Sequence, residues 1–293
     1  MWESDFSLAE KLTDYHGLRY FLVLPLFQLG KWLGVSYDWL FSISIPGLIY
    51  LTSYFVNRSI RKIDRQISLQ RKVIIFIGIS LVFVTLSFFM NGRLMLVFAG
   101  SSMLMWSLLT WDDNHDSVNF LAVVAAIFFC SVSSGTFLVS IFIFYFFLAV
   151  NIAITNPSVC RMKVLLTYAG LLVLLTPYIT MLVIKNLDFF GEGPEAIFNM
   201  LHHGYGFIVF SFDKLVGGAL FFISLSLGYI FRKLIYRNWV LVSFMLFALA
   251  GGMFGFSTGL LIVPPLLVVG NLAIVKICSR IEALRPKESA QMR

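Results

Sequence analysis

The stretch SFFMNGRLMLVFAG, from Ser87 to Gly100, sets an arginine between two long apolar runs. An arginine at the centre of a membrane-spanning helix costs about 2.5 to 3.5 kcal/mol on insertion scales, and less toward the interface. Arg93, at the start of a run, therefore calls for compensation. Its side chain can reach lipid phosphates along its apolar stem. It can also face the helix bundle and hold an anionic ligand, where its planar five-donor fork suits the oxygens of a diphosphate better than a lysine would.

Acids and bases collect in KNLDFFGEGPEAIFNMLHHGYGFIVFSFDK, Lys185 to Lys214. A carboxylate or imidazole in this segment can take a proton from a hydroxyl, which makes Asp188, Glu192, Glu195, His202 and His203 the general-base candidates. Solvated surface charge is the competing explanation. PEAIFNMLHH reads as a short amphipathic helix begun by Pro194 and lying on a membrane surface. Long segments without spans are usually functional or disordered, and the aromatic residues here argue against disorder. Substrate-binding candidates are Arg93, Asn91, Ser133, Ser134, Thr136 and Tyr205.

Two motif matches carry little weight. GFSTG, Gly255 to Gly259, fits G-x-S-x-G, but that elbow has meaning only between a strand and a helix. An intramembrane serine hydrolase would need a histidine on a partner span, and the apolar runs contain none. His202 and His203 are adjacent, so they point apart on a helix, and no third ligand is spaced to join them. No metal or cofactor is expected.

The elements that must position these residues follow from composition. With 59% hydrophobic, 16% aromatic and 13% charged residues and a mean hydropathy of +0.88, the chain is expected to be an all-α, polytopic membrane protein forming one domain over its 293 residues. Cys130, Cys160 and Cys278 show no paired spacing, which argues against a disulfide framework or zinc site. The acidic, polar stretch MWESDFSLAEKLTDYHG does not resemble a cleavable signal. The net charge of +7 sits in short loops beside apolar runs, so it reports topology rather than nucleic-acid binding.

A span needs about 20 predominantly apolar residues. Nine are expected, at Asp38 to Val56, Val73 to Met90, Leu94 to Thr110, Val118 to Val132, Phe137 to Thr155, Val164 to Ile184, Leu215 to Phe231, Trp239 to Phe256 and Leu260 to Ile277. LRYFLVLPLFQLGKWLG before them is either a tenth span or an interfacial segment. Asn57 to Lys72 carries six Lys or Arg against one Asp, which places that loop in the cytoplasm. Counting onward, Arg161 and Lys163, Arg232 to Arg237 and the basic C-terminal tail fall on the same side. NGR (Asn91 to Arg93), SSGT (Ser133 to Thr136), Lys185 to Asp213 and GFSTG then share the outer face. Three of these breaks form a weak repeat: an apolar run, a Gly-containing polar break, and a second apolar run.

Two stretches carry a family resemblance. YHGLRYFLVLPLFQLGKWLGVSYDWLFSISIPGLIYLTSYFVNRSIRK is similar to the early part of EpsG-type, Wzy-like polysaccharide polymerases, where an interfacial stretch leads into a span and a basic cytoplasmic loop. NGRLMLVFAGSSMLMWSLL resembles the family's Arg-led helix, and FLAVVAAIFFCSVSSGTFLVSIFIFYFFL the hairpin that follows. That family often carries a His before the Ser of this hairpin; here there is none. The resemblance covers roughly Tyr15 to Leu148.

It implies a glycosyltransferase of the O-antigen or exopolysaccharide polymerase type in the bacterial inner membrane. Such an enzyme transfers an undecaprenyl-diphosphate-type lipid-linked oligosaccharide onto a second lipid-linked repeat unit. Membrane lipids and a chain-length regulator or flippase are the further partners implied. The alternative is a non-catalytic polytopic protein: a transporter, immunity factor or assembly factor. Ion-coupled transport favours ionisable residues at mid-membrane, and the expected spans are nearly free of them.

Overall fold

The computed structural model describes residues 22, 25, 28–65, 67–89, 92–111, 116–154, 187–191, 193–203, 239–252 and 256–284, with scattered positions between 169 and 184. All regular structure among them is helical. The principal helices are α1 (Tyr37–Ile63), α2 (Leu69–Phe89), α3 (Arg93–Leu109), α4 (Asp116–Cys130) and α5 (Ser134–Ile154). They are followed by α6 (Gly193–His203), α7 (Trp239–Gly252), the single turn α8 (Phe256–Gly259), a 3-10 turn at Leu260–Ile262, and α9 (Val263–Leu284).

Three segments, Asp38–Ile63, Leu69–Phe89 and Leu260–Cys278, are long and apolar enough to cross a membrane. Leu94–Leu109, Phe120–Cys130, Ser134–Val150 and Trp239–Gly252 are apolar but shorter.

Local chemistry accounts for the helix ends. Ser36 caps α1, its Oγ accepting the Trp39 N–H at 3.3 Å, with Asp38 in the first turn and Arg61 and Lys62 in the last. Both charge placements complement the helix dipole. The helix outlasts the predicted span end at Val56, because Val56, Ser59 and Ile60 are fully buried and continue the packed face into the basic run. α7 is described as far as Gly252, and the turn α8 begins at Phe256, the predicted span end. Described positions of the predicted span Val164 to Ile184 are helical, and Ile179 packs on Phe137 and Ile141 of α5. The predicted span Leu215 to Phe231 lies outside the described residues.

α3 is the centre of the bundle. Every residue from Met95 to Met105 is buried, as befits a helix that is apolar all round. α2 is peripheral, burying only Ile75, Ile79 and Phe83 at i+4 spacing. Gly92 abuts Phe41 and Ile45, while fourteen residues further along each chain the rings of Phe55 and Trp106 lie 5.2 Å apart. α1 and α3 therefore run parallel. α5 and α7 run antiparallel, since Phe147 stacks on Trp239 at 5.2 Å and Val139 meets Gly251. Trp111 joins the first of these contacts, 5.6 Å from Phe147, forming an aromatic cluster at one end of the bundle. Gly92 and Arg93 and the turns at 131–136 and 256–262 lie toward the other.

Candidate functional site

Arg93 is the first residue of α3, preceded by Gly92, whose carbonyl accepts the Met95 N–H at 3.0 Å. A Cβ on Gly92 would lie 2.7 Å from Phe41 Cε1 and 3.2 Å from Ile45 Cδ1, so the absence of a side chain lets the α3 start press on α1. Arg93 is the single charged residue in α3, α5, α7 and α8 taken together.

The two Gly-containing turns beyond NGR meet each other. A Cβ on Gly135 would lie 2.5 Å from Thr258 Oγ1, and one on Gly251 would lie 2.6 Å from Thr258 Cγ2. SSGT and the STG of GFSTG thus form one contact, with Thr258 2% exposed between them. Gly100, eight residues or about 12 Å beyond Gly92 along α3, faces Cys130 Sγ and the Ala126 carbonyl. A Cβ there would lie 2.8 and 2.7 Å from those two atoms. The next residue, Ser101, donates to the Leu261 carbonyl at 3.0 Å. The turn at 131–133 therefore stops roughly one helical turn short of the level of Arg93, and the 3-10 turn lies deeper. Buried hydroxyls collect in this layer: Ser101, Ser102, Ser131, Ser134, Thr136 and Thr258.

Much of this hydroxyl chemistry is committed to backbone. Thr136 Oγ1 donates to the Cys130 carbonyl and lies 2.9 Å from that of Ser133. Ser131 donates to the Phe128 carbonyl at 2.6 Å, and Ser102 to that of Ala99 at 3.0 Å. In a medium without water the Thr136 and Ser131 bonds satisfy carbonyls freed where α4 ends, while the Ser102 bond lies within α3.

Asp188 and Glu195 are exposed. PEAIFNMLHH is helical within α6, with Ala196 buried and Phe198 65% exposed. Its start is shaped by Gly191 and Gly193, at φ +130° and +61°, and by Asn199 Nδ2 donating to the Phe190 carbonyl at 2.7 Å. His202 and His203 close α6. Glu192, Asn91 and Tyr205 lie outside the described residues. The structure thus brings Ser134 and Thr136 into one buried layer with Thr258. Among the described residues, no three His, Cys, Asp or Glu side chains converge as metal ligands would.

Ser101, Thr258 and Gly251 belong to this site and are absent from the sequence-derived candidates. Their signal was small size: close helix contacts in membranes favour Gly, Ala, Ser and Thr. Comparison with known protein families, with curated proteins and with solved structures yields no match.

Proposed function

We propose that the chain is a membrane glycan polymerase of nine or ten spans, with its C-terminus in the cytoplasm and Arg93 toward the periplasmic face of a bacterial inner membrane. The observation that carries this reading is the placement of Arg93: one cation at the head of a central, otherwise uncharged helix, at the end of the bundle where small hydroxyl residues are buried. Resemblance of Tyr15 to Leu148 to Wzy-like polymerases supports it.

On this reading Arg93 holds the diphosphate of a lipid-linked oligosaccharide. A base from the Asp188 to His203 segment takes the proton of the acceptor sugar's hydroxyl, and that oxygen attacks the anomeric carbon. As the new glycosidic bond forms, the bond to the diphosphate breaks. The lipid diphosphate leaves with the electron pair, its charge stabilised by Arg93. Reconstitution tests this directly. Purified protein in liposomes with lipid-diphosphate-linked repeat units should yield a ladder of longer glycans, and recovery of the single unit alone contradicts the reading.

The engagement of Thr136 and Ser131 with backbone carbonyls favours a second reading, a non-catalytic assembly or immunity factor in which the turns only hold the helices together. It expects no ladder from the purified protein.

A further inference from the structure

We propose that the groove between α1 and α2 binds one anionic phospholipid, its headgroup held by Arg58 and an acyl chain laid along the two helices. Its walls are two ridges at i+4 spacing, the geometry that leaves a furrow between neighbouring helices. On α1 the ridge runs Ser42, Pro46, Tyr50, Tyr54, Arg58, and on α2 it runs Phe76, Ser80, Val84, Phe88. Between Ser42–Tyr50 and Phe76–Phe88 lies an open cleft of about 480 Å³. Small Ser80, set between larger neighbours, leaves part of that space.

The cleft is dry in character. Its three serine hydroxyls all donate within their own helices: Ser42 to the Asp38 carbonyl at 2.7 Å, Ser80 to that of Phe76 at 2.9 Å, and Ser87 to that of Val84 at 2.7 Å. A hydrocarbon chain meets no unsatisfied donor from these serines.

One end of the furrow is cationic. Tyr50, which lines the cleft, stacks on Tyr54 with ring centroids 6.3 Å apart and planes at 23°. The Arg58 guanidinium sits 5.2 Å over the Tyr54 ring, and its Nε donates to the Tyr54 hydroxyl at 3.0 Å. One edge of the fork is thus fixed, while the terminal amino groups make no bond among the described residues and suit a phosphate. Exposed Arg61 and Arg65 extend the positive surface. Clusters of four to eight basic residues beside a span attract anionic headgroups. Tyr50 lies about 12 Å from Arg58 along the helix, inside the ~15 Å that half of a ~30 Å hydrocarbon core allows one leaflet's chains. A cationic clamp about 12 Å along α1 from an apolar cleft, past the edge contact of Tyr50 with Phe76 at 5.8 Å, matches an amphiphile with a negative head, and neither a neutral lipid nor an acidic peptide satisfies both ends. The inference does not depend on glycan polymerisation.

The test uses the full chain in phosphatidylcholine bilayers doped with spin-labelled phosphatidylglycerol or spin-labelled phosphatidylcholine, comparing the motionally restricted fraction of each. Wild type should favour phosphatidylglycerol. Arg58→Gln should lower that preference about fivefold, the equivalent of the ~1 kcal/mol one basic residue contributes near an anionic surface. Ser80→Phe, which fills the cleft and keeps every basic residue, should lower it as well, with Ser80→Leu in its place if the larger residue prevents assembly. A preference unchanged by filling the cleft overturns the proposal, because the basic loop alone then attracts headgroups. A preference unchanged by Arg58→Gln overturns it too. Binding of an acidic protein without any preference for phosphatidylglycerol would assign the basic end to that partner instead.

Discussion

Gly135 and Thr258 approach so closely that a single methyl group on Gly135 would lie 2.5 Å from the threonine Oγ1. The contact ties the start of α5 to α8 and brings together two turns far apart in sequence. In lipid, apolar burial gives helices little preference for each other over acyl chains, so close packing of small residues and interhelical hydrogen bonds must hold them.

Gly135→Ala should therefore destabilise the protein by about 1 to 3 kcal/mol, the usual cost of overpacking. Adding Thr258→Ala removes the colliding atom and should restore most of the loss. Thermal unfolding in detergent measures both. A double variant as unstable as the single one would place the strain elsewhere.

Gly100 offers a sterner version of the same test. Its added methyl would meet the Ala126 carbonyl at 2.7 Å and Phe129 Cβ at 2.9 Å, atoms that cannot swing aside. Gly100→Ala should cost at least as much as Gly135→Ala, and Cys130→Ala should not rescue it. Gly78→Ala in α2, with nothing within 4 Å, should be neutral or stabilising by up to about 1 kcal/mol through helix propensity. Equal melting temperatures for the Gly100 and Gly78 variants would contradict the packing of α3 on α4.

The hydrogen bond from Ser101 to the Leu261 carbonyl joins α3 to the 3-10 turn. Ser101→Ala should lose about 0.6 to 1.7 kcal/mol, the range measured for such bonds within membranes, while Ser102→Ala, whose hydroxyl bonds within its own helix, should lose less. The same melting assay separates them.

Helices α1 to α5 were legible because each is an apolar run bounded by a polar or glycine-containing break. Their ends were less so. Hydropathy falls at Asn57, yet α1 continues to Ile63 because Ile60 is buried by tertiary packing. That SSGT and GFSTG share one end of the bundle could be counted from spans. That Gly135 touches Thr258, and that the turns are recessed below Arg93, depends on relative helix offsets, which no local pattern encodes. Thr258 and Ser101 were missed because a small hydroxyl residue looks the same in sequence whether it packs against a neighbour or faces lipid.

Absolute orientation is open to reporter fusions. Fusions after Lys72, Phe190 and Arg237 should report cytoplasm, periplasm and cytoplasm, following the basic loops. Reversal at any of the three would move Arg93, or the α6 acids, to the wrong side of the membrane for polymerisation.

The most direct test of the proposed function is glycan chain length, resolved on gels from cells carrying Arg93 variants, with membrane abundance measured alongside. Arg93→Lys should lose most polymerisation although the charge remains, because the bidentate fork is lost. Arg93→Ala should lose it too while still inserting, since removing a charge from a helix end lowers the insertion cost. A side chain that only reaches lipid headgroups would let lysine substitute freely. Full-length glycan from Arg93→Ala at normal abundance would contradict the role of Arg93 as the diphosphate anchor.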